Sequence, residues 1–568
     1  MLKKSIGKKT LFLFMVNGII GTGIYFLPSI GAQYAGPASL VSWVIMAIIS
    51  VFIAFYFAEL ISMFPKSGGV YEYVKAAFGE FPSFIAGWIS WIVANITIAM
   101  LIVGSLKFLF PSAGILFSIA VSSCFILIFN YVNYRGMNWA SKLLIFFGIA
   151  TLVSILMIIV PGLQQVNSSN FDPFFVFPAS SVFIALYFIA ETFFGWEAAT
   201  YLTEEVKNAR KVLPKMLIIS TVFIAIISLL FVFVSMGVAD WKKYGESENP
   251  SVFVASHIFS PEFVKIFIIL VFIPLIGTAA SWIISSPRLL YAMSRDKVLP
   301  PRFEKLHPRY KTPYYCIFFQ AFVTIFVTMV ALGDFISILS LLIPLAMIMY
   351  SVVLLSVTKL RYSMPHAKRH FRAPFGKAGP LLIIAFNIFL IYTWLHEVSD
   401  ASYSFVIGIF AIAFGIPMYI IIKLQTDRKF TEKFYDQVSF LWDSLFTKWY
   451  SQKETKRVVS NLGIRKNSVV LDFGCGSGFT TRAVSKKSSK VIAVDISIKQ
   501  LEKAVRKMKK ENLHNVVFVK TSQLDFPDRS FDAITAVGVL EHLDYPHAPV
   551  HRMMRMLKRN GRFSFLIF

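Results

Sequence analysis

Apolar residues dominate the chain up to about residue 423, in blocks of about 20, each enough to cross roughly 30 Å of hydrocarbon at about 1.5 Å per helical residue. Twelve blocks are read, at approximately 11–34, 38–63, 83–109, 114–132, 141–161, 178–203, 214–239, 264–293, 314–332, 335–358, 380–395 and 402–423. Two of them, five blocks apart, are interrupted. The first carries Gly18-Ile19-Ile20-Gly21-Thr22-Gly23-Ile24, and its counterpart carries Phe193-Phe194-Gly195-Trp196-Glu197. Backbone groups in lipid must find partners within the helix, so a break at that depth survives only where it lines a cavity inside the protein. Paired breaks in corresponding halves predict a transport site between them.

Near Lys423 the pattern changes to mixed polar sequence, which sets an expected boundary between a membrane domain, 1–425, and a second domain, 426–568. Phe430, Phe434, Val438, Leu441, Leu445 and Trp449 recur every three or four residues, the stripe of an amphipathic helix. Such a helix either lies in a membrane interface or packs on the globular domain that follows. Beyond it, strands are predicted at Ser468–Leu471, Lys490–Val494, Val516–Val519, Ala533–Val537 and Arg562–Ile567, with helices at Ile498–Lys510 and Ala548–Leu557. Strands alternating with helices predict a small α/β domain with a parallel sheet.

Composition sharpens this picture. The chain has 568 residues and is 56% hydrophobic, far from an ordinary soluble domain. Four lysines in Met1–Thr10 run straight into a full-length span with no small-residue cleavage site, so the first helix is expected to be retained. Lys359–Lys377 holds six Lys and Arg while Pro161–Pro178 holds none, which places both termini on the cytoplasmic side of a cell membrane. Lys242 and Lys243 break the alternation. The three cysteines, Cys124, Cys316 and Cys475, imply no disulfide framework, and the Asn167-Ser168-Ser169 triplet is of a kind common by chance. From Asp427 onward 26 Lys and Arg face 14 Asp and Glu. With no stacking platform or groove-reading motif, that excess fits anionic lipid better than nucleic acid, and no nucleic-acid partner is expected.

Glu59-Leu60 and Phe64-Pro65-Lys66-Ser67-Gly68-Gly69-Val70-Tyr71-Glu72-Tyr73, then Glu204-Glu205-Val206-Lys207-Asn208-Ala209-Arg210, then Arg295-Asp296-Lys297-Val298-Leu299-Pro300, resemble the signatures of the amino acid–polyamine–organocation permeases. Ala209 stands where that family usually has proline. The resemblance implies an all-α membrane fold of twelve spans, two inverted five-helix repeats plus two helices, moving amino acids or polyamines by alternating access. Independently, the glycines of the first break free backbone amides near a half-helix N-terminus, a preformed anion site. By resemblance, Gly21, the Thr22 hydroxyl and the Gly23 amide hold a substrate carboxylate, and the Ile19 carbonyl with carbonyls around Phe193 takes its ammonium.

Glu191 occupies a position that is usually an aromatic lid in relatives, and Trp282 matches a tryptophan lining the side-chain pocket of arginine-exchanging members. A carboxylate inside the membrane is costly unless paired or functional, so Glu191 either points to a cationic or polar substrate, or is protonated or paired with a polar group such as Asn95. Thr151 stands where some proton-coupled relatives have lysine; proton symport, sodium symport and exchange all stay open.

The run Val469–Gly478, Asp495 at the end of the next strand, Ser530-Phe531-Asp532 and Val539-Leu540-Glu541-His542-Leu543 resemble class I S-adenosylmethionine-dependent methyltransferases. By that resemblance Asp472, Gly474, Gly476, Gly478 and Asp495 bind the cofactor; a nicotinamide cofactor is the second choice. Lys520 stands where the family often has an acid, and the closing strand pair of the family is expected to be missing. Catalytic residues and a metal site are not assigned, and a regulatory, catalytic or vestigial role stays open. The competing reading, a membrane-tethered methyltransferase, requires only one or two anchoring spans, and a substrate-sensing receptor is a third.

Overall fold

The computed structural model describes residues 4–331, 335–449, 452–540, 543 and 547–567. It divides into two compact units, Met1–Pro417 and Met418–Phe568.

In the first unit, ten helical runs among the described residues are long and apolar enough to cross a membrane. One of them, Lys8–Met63, has 56 residues. At about 1.5 Å per residue that is far more than one crossing. It holds α1 (Lys8–Ile19), α2 (Thr22–Ala35) and α3 (Ser39–Met63), with a 3-10 turn at Gly36–Ala38 between the last two. Gly36 has φ +59°, a conformation glycine adopts without strain, and Pro37 behind it cannot continue the preceding helix. A shorter apolar helix covers Tyr314–Met329.

Helices of similar apolarity take different places. Within α4 (Glu80–Leu109) the apolar window is 94% buried, whereas in Ile115–Tyr134 it is 22%. The polar residues of α4, Ser90, Asn95, Thr97 and Ser105, are all buried, as are Ser122, Asn130 and Asn133 of the other helix. Polar groups turn to the protein interior because lipid offers them no partner. Three other helices concern the transport site: α5 (Met137–Gly162), α6 (Ser181–Ile189) and α7 (Trp196–Tyr201), the last two being halves of the second interrupted span. A 3-10 turn, Ala190–Phe193, ends α6; Phe194 is extended and Gly195 has φ +125° before α7 begins. The site is completed by α8 (Pro261–Ser285) and α9 (Phe335–Ser363).

The motif loops converge as charged clusters. Glu205 forms an ion pair with Arg288 at 3.1 Å, both almost wholly buried, and Arg288 also donates to Asn133 Oδ1. Ser5 and Ile6 donate backbone N–H to the Glu205 carbonyl, and Lys207 N–H donates to the Ile6 carbonyl, which ties the segment before α1 to the loop after α7. Glu59 is buried between Arg361 and Arg369 and accepts from Ala373 N–H at 2.8 Å. Asp296 pairs with Lys75 at 2.6 Å and accepts from the Tyr71 hydroxyl at 2.8 Å.

The second unit holds β1 (Val469–Phe473), β2 (Lys490–Asp495), β3 (Val516–Lys520), β4 (Phe531–Val537) and β5 (Leu557–Leu566) in the order β3-β2-β1-β4-β5, all parallel. Successive side chains alternate across a strand. Leu471, Phe473 and Ile534 therefore meet one helical layer with Met553 and Met556, while Val470, Val491 and Ala533 meet the other with Val459 and Leu462. The last strand begins earlier than the alternating pattern predicts. Leu557 already pairs with Phe531, and Lys558–Gly561, with Asn560 at φ +72°, forms an excursion before Arg562 pairs with Ala533. That excursion hid the strand's start. Among the described residues five helices flank the sheet: α10 (Arg428–Trp449), the helix Gln452–Asn461 that carries Val459, α11 (Phe479–Ser485), α12 (Ile498–Lys510) and α13 (His547–Met556).

Removing one member of a buried ion pair strands the other charge, at a cost of about 3–5 kcal/mol. Arg288→Met is therefore expected to lower the melting temperature and folded yield of detergent-purified protein sharply, and the double change Arg288→Met with Glu205→Met to restore much of the loss. Equal melting temperatures for wild type and Arg288→Met would contradict the assignment of this pair as the tie between the loops.

Candidate functional site

The two breaks meet. A Cβ placed on Gly195 would lie 3.0 Å from the Gly18 carbonyl oxygen. A Cβ on Gly23 would lie 2.6 Å from Glu191 Oε2, from Thr192 Cα and from Thr192 Oγ1. Neither position has room for a side chain, so glycine here serves close approach of one interrupted helix to the other.

Each break leaves backbone groups that need partners. At the end of α1, the Thr278 hydroxyl of α8 lies 2.8 Å from the Asn17 carbonyl, 3.1 Å from the Ile20 carbonyl and 3.0 Å from the Pro274 carbonyl. Its single hydrogen is shared among three acceptors. Asn17 is fixed in turn, donating to Ser281 Oγ at 2.7 Å and accepting from the Thr151 hydroxyl at 2.9 Å. The start of α2 has no side-chain cap, so the amides of its first turn face outward without an intrahelical acceptor. On the second break, the Tyr350 hydroxyl of α9 accepts from Gly195 N–H at 3.0 Å and donates to Glu197 Oε2 at 2.5 Å.

Between the breaks lies a cavity of about 10 Å³, lined by Gly18, Ile19 and Gly21, by Val93, Thr97 and Leu101 of α4, by Glu191, Phe194 and Glu197, by Thr278 and Trp282, and by Leu342. About one water molecule fills such a space, so a larger ligand enters only as side chains move. Around it, Thr22 Oγ1, Glu191 Oε2, Thr192 Oγ1 and Glu197 Oε1 are buried without a hydrogen-bond partner. Buried polar atoms are normally paired, and a cluster of unpaired ones marks a place built for something else to bind.

Of the residues singled out from sequence, Ile19, Gly21, Glu191 and Trp282 line this cavity. Thr22 and Gly23 stand beside it at the start of α2, and Phe193 turns away to pack on Trp43, ring centroids 6.1 Å apart. The pairing of Glu191 with Asn95 is not formed. Asn95 Oδ1 accepts from Gln320 and Thr324, and its Nδ2 donates to the Trp91 carbonyl, so its groups are already engaged. Thr192, Thr97 and Thr278 escaped the sequence reading; their one signal was a hydroxyl within an apolar span.

In the second unit the glycine-rich turn follows β1. Gly474 and Cys475 donate N–H to the Val494 carbonyl, and Gly474, Gly476 and Gly478 all have positive φ. Asp472 is buried and accepts from the Thr481 hydroxyl at 2.6 Å; burial pushes its carboxyl up to about 7. Asp495 accepts from Gly476 N–H at 2.8 Å and from Ser497 N–H at 2.9 Å, and burial raises its carboxyl too. Across the ends of β2 and β3 lies α10. Its Glu432 pairs with Lys520 at 2.5 Å, holding that amine above the usual lysine value, and its Asp436 accepts from the Ser497 hydroxyl. Lys503 reaches the Ser439 carbonyl. These contacts, at Glu432, Asp436 and Ser439, lie on the face opposite Phe430, Phe434 and Val438, so α10 grips the sheet domain with its polar side. Side chains of Leu441, Leu445 and Trp449, and Glu541 and His542 altogether, lie outside the described residues.

A nucleotide cofactor of a parallel sheet binds at the carboxyl ends of its strands. Here both oxygens of Asp495 are held by amides of the chain, and a Cβ on Gly474 would lie 2.7 Å from Val539 and on Gly478 2.9 Å from Ala504. The glycines admit neighbouring side chains rather than a ligand, and α10 covers the strand ends. As arranged, the turn does not fit an adenosyl group.

The sequence profile of the amino acid permease family matches residues 6–416, and that of a methyltransferase domain matches 471–565. The chain is similar to the branched-chain amino acid permease BcaP of Bacillus subtilis (strain 168), 27% identical over 411 residues, 69% of this chain and 88% of that protein. It is also similar to the methylthioribose transporter of the same organism, 25% identical over 427 residues, 70% of this chain and 91% of that protein. Among solved structures, the YcgJ protein of Bacillus subtilis is 30% identical over 20% of this chain, with a TM-score of 0.20, and the chain spans about half of its length (50%).

The raised carboxyl of Asp472 sets a pH dependence. A fold that favours the protonated acid is most stable below the unfolded value of 3.8 and loses stability as pH rises towards about 7. At about 1.36 kcal/mol per unit the loss reaches at most about 4 kcal/mol. Asp472→Asn is expected to remove that slope, seen as denaturant resistance of β1 amides in hydrogen exchange corrected for intrinsic rates. A wild-type β1 that gains stability from pH 4 to 7 contradicts it.

Proposed function

We propose that this chain, which belongs to the amino acid permease family, carries an amino acid across the bilayer by holding it between its two broken helices. The supporting observation is the direct approach of the breaks, Gly23 against Glu191 and Thr192 and Gly195 against the Gly18 carbonyl, around a cluster of unpaired buried oxygens. The substrate carboxylate sits at the Thr22 hydroxyl and the first-turn amides of α2, beside Gly21 and Gly23, where the helix dipole favours an anion. The ammonium takes the Ile19 carbonyl and carbonyls near Phe193, and the substrate side chain extends towards Glu191 and Trp282. Twelve spans in two inverted repeats, both termini in the cytoplasm, and rocking about this site complete the reading; the asymmetry of basic loops supports the orientation. The relatives named above carry chemically different substrates at similar identity, so the choice rests on this chain's own carboxylates.

Counterflow into proteoliposomes with a panel of labelled amino acids tests the proposal. Wild type is expected to accumulate at least one of them. Gly23→Ala is expected to insert in the membrane but to lose uptake, because its Cβ meets the backbone of Thr192 at 2.6 Å and must push the breaks apart. No accumulation by well-folded wild type, or unchanged uptake by Gly23→Ala, contradicts the site.

For the methyltransferase domain we infer a role controlled by α10, with S-adenosylmethionine the cofactor it takes once the strand ends are uncovered. Lys520→Asp alone would set a carboxylate against Glu432. Glu432→Ala with Asp436→Ala is therefore the informative change, expected to raise cofactor affinity of the full chain about tenfold by calorimetry, a difference of about 1.4 kcal/mol. Tight binding by wild type, unchanged in the variant, contradicts the covering role.

A further inference from the structure

Resting on the proposed carboxylate position at the start of α2, we infer that Glu191 crowds that position from beside Gly23, and that the site therefore selects amino acids with a second, side-chain cation. Four observations carry it. Glu191 Oε2 fills the space directly beside Gly23, 2.6 Å from where a side chain there would begin. It accepts no hydrogen bond although the residue is only 7% exposed. The hydroxyls of Thr22 and Thr192 beside it are equally unbonded. Finally, among the described residues no Lys, Arg or His lines the cavity; its ionisable groups there are Glu191 and Glu197.

A carboxylate of the chain thus stands in the field of the α2 terminus, where a ligand carboxylate is to bind. The space beside Gly23 does not hold two carboxyl groups, so an entering carboxylate drives Glu191 aside. The side chain can move: it carries no bond to hold it, and the space at hand admits about one water molecule. Displacement gives its carboxylate no partner either, and a buried charge without one is strongly unfavourable. A neutral amino acid offers only its ammonium, already committed to the freed carbonyls. A dibasic amino acid brings the missing cation. Glu197 does not fill this role, because its Oε2 is held by the Tyr350 hydroxyl. Exchange of Glu191 between the α2 terminus and a substrate cation makes it a specificity residue that acts twice, as competitor of the substrate carboxylate and as partner of the substrate side chain.

Binding of labelled lysine, leucine and 1,5-diaminopentane to the full chain in nanodiscs, by scintillation proximity, tests this. Wild type is expected to bind lysine at least about tenfold more tightly than leucine, and Glu191→Ala to tighten leucine and weaken lysine by about tenfold each, one such factor being about 1.4 kcal/mol. Glu191→Gln keeps the volume without the charge; it is expected to weaken lysine with a smaller gain for leucine. If Glu191→Ala does not fold, the lysine-to-leucine ratio of Glu191→Gln decides: a fall supports the inference and an unchanged ratio overturns it. Equal binding of lysine and leucine by wild type, or equal weakening of both in Glu191→Ala, overturns it as well. Diaminopentane separates the two levels. Bound as tightly as lysine, it shows that no carboxylate position exists, and the inference falls with the reading it rests on; bound more weakly, it leaves that position standing.

Discussion

Hydrogen bonding of backbone groups at membrane depth is the constraint on which the permease unit rests. A helix that stops at Ile19 and restarts at Thr22 leaves carbonyls on one side and amides on the other, and lipid satisfies neither. Two of the carbonyls, Asn17 and Ile20, are met by the Thr278 hydroxyl, which also bonds back to Pro274 on its own helix. The amides of α2 are left to the cavity. This asymmetry gives the site its character: its positive end is made of backbone dipoles alone, and its ionisable groups are carboxyls. The second break follows the same rule, with Tyr350 serving both Gly195 and Glu197. A single phenol thereby couples a freed amide to a buried acid.

The sequence discloses the breaks because glycines crowd into them within otherwise apolar spans, and Gly18, Gly23 and Gly195 stand where the two helices meet. It discloses the motif loops for a similar reason: Glu59, Glu204, Glu205 and Asp296 are charges at span ends, and they become the ion-paired clusters. What it hides is contributed from a distance. Thr97 and Thr278 lie on helices with no break and carry a hydroxyl that is as often a back-bond to its own helix as a site group. Both make such a back-bond, to Val93 and Pro274, and both still reach the cavity. Asn95, one partner the sequence offers for Glu191, is instead claimed by Gln320 and Thr324, more than 200 residues away.

The methyltransferase domain shows the same division. Its strands and glycine turn are local patterns and emerge where hydrophobic alternation places them, apart from the excursion at Lys558–Gly561. The role of α10 is tertiary. Its apolar stripe was the conspicuous feature, yet Glu432, Asp436 and Ser439 on the other face make the contacts to β3, α12 and the loop between β2 and α12. Lys520, a departure from the family pattern when read alone, has a partner 88 residues earlier in the chain. In the chain, α10 begins two residues after the last apolar helix ends at Thr426.

The account's central claim is that the first turn of α2 is where a substrate carboxylate binds and that Glu191 yields to it. A structure determined with a transported amino acid bound tests this most directly. The account predicts the ligand carboxylate at the Thr22 hydroxyl and the Gly23 amide, with the Glu191 carboxylate withdrawn from Gly23 and turned to the ligand's side chain. A ligand bound elsewhere in the membrane unit, or seated between the breaks with Glu191 still against Gly23, would contradict it.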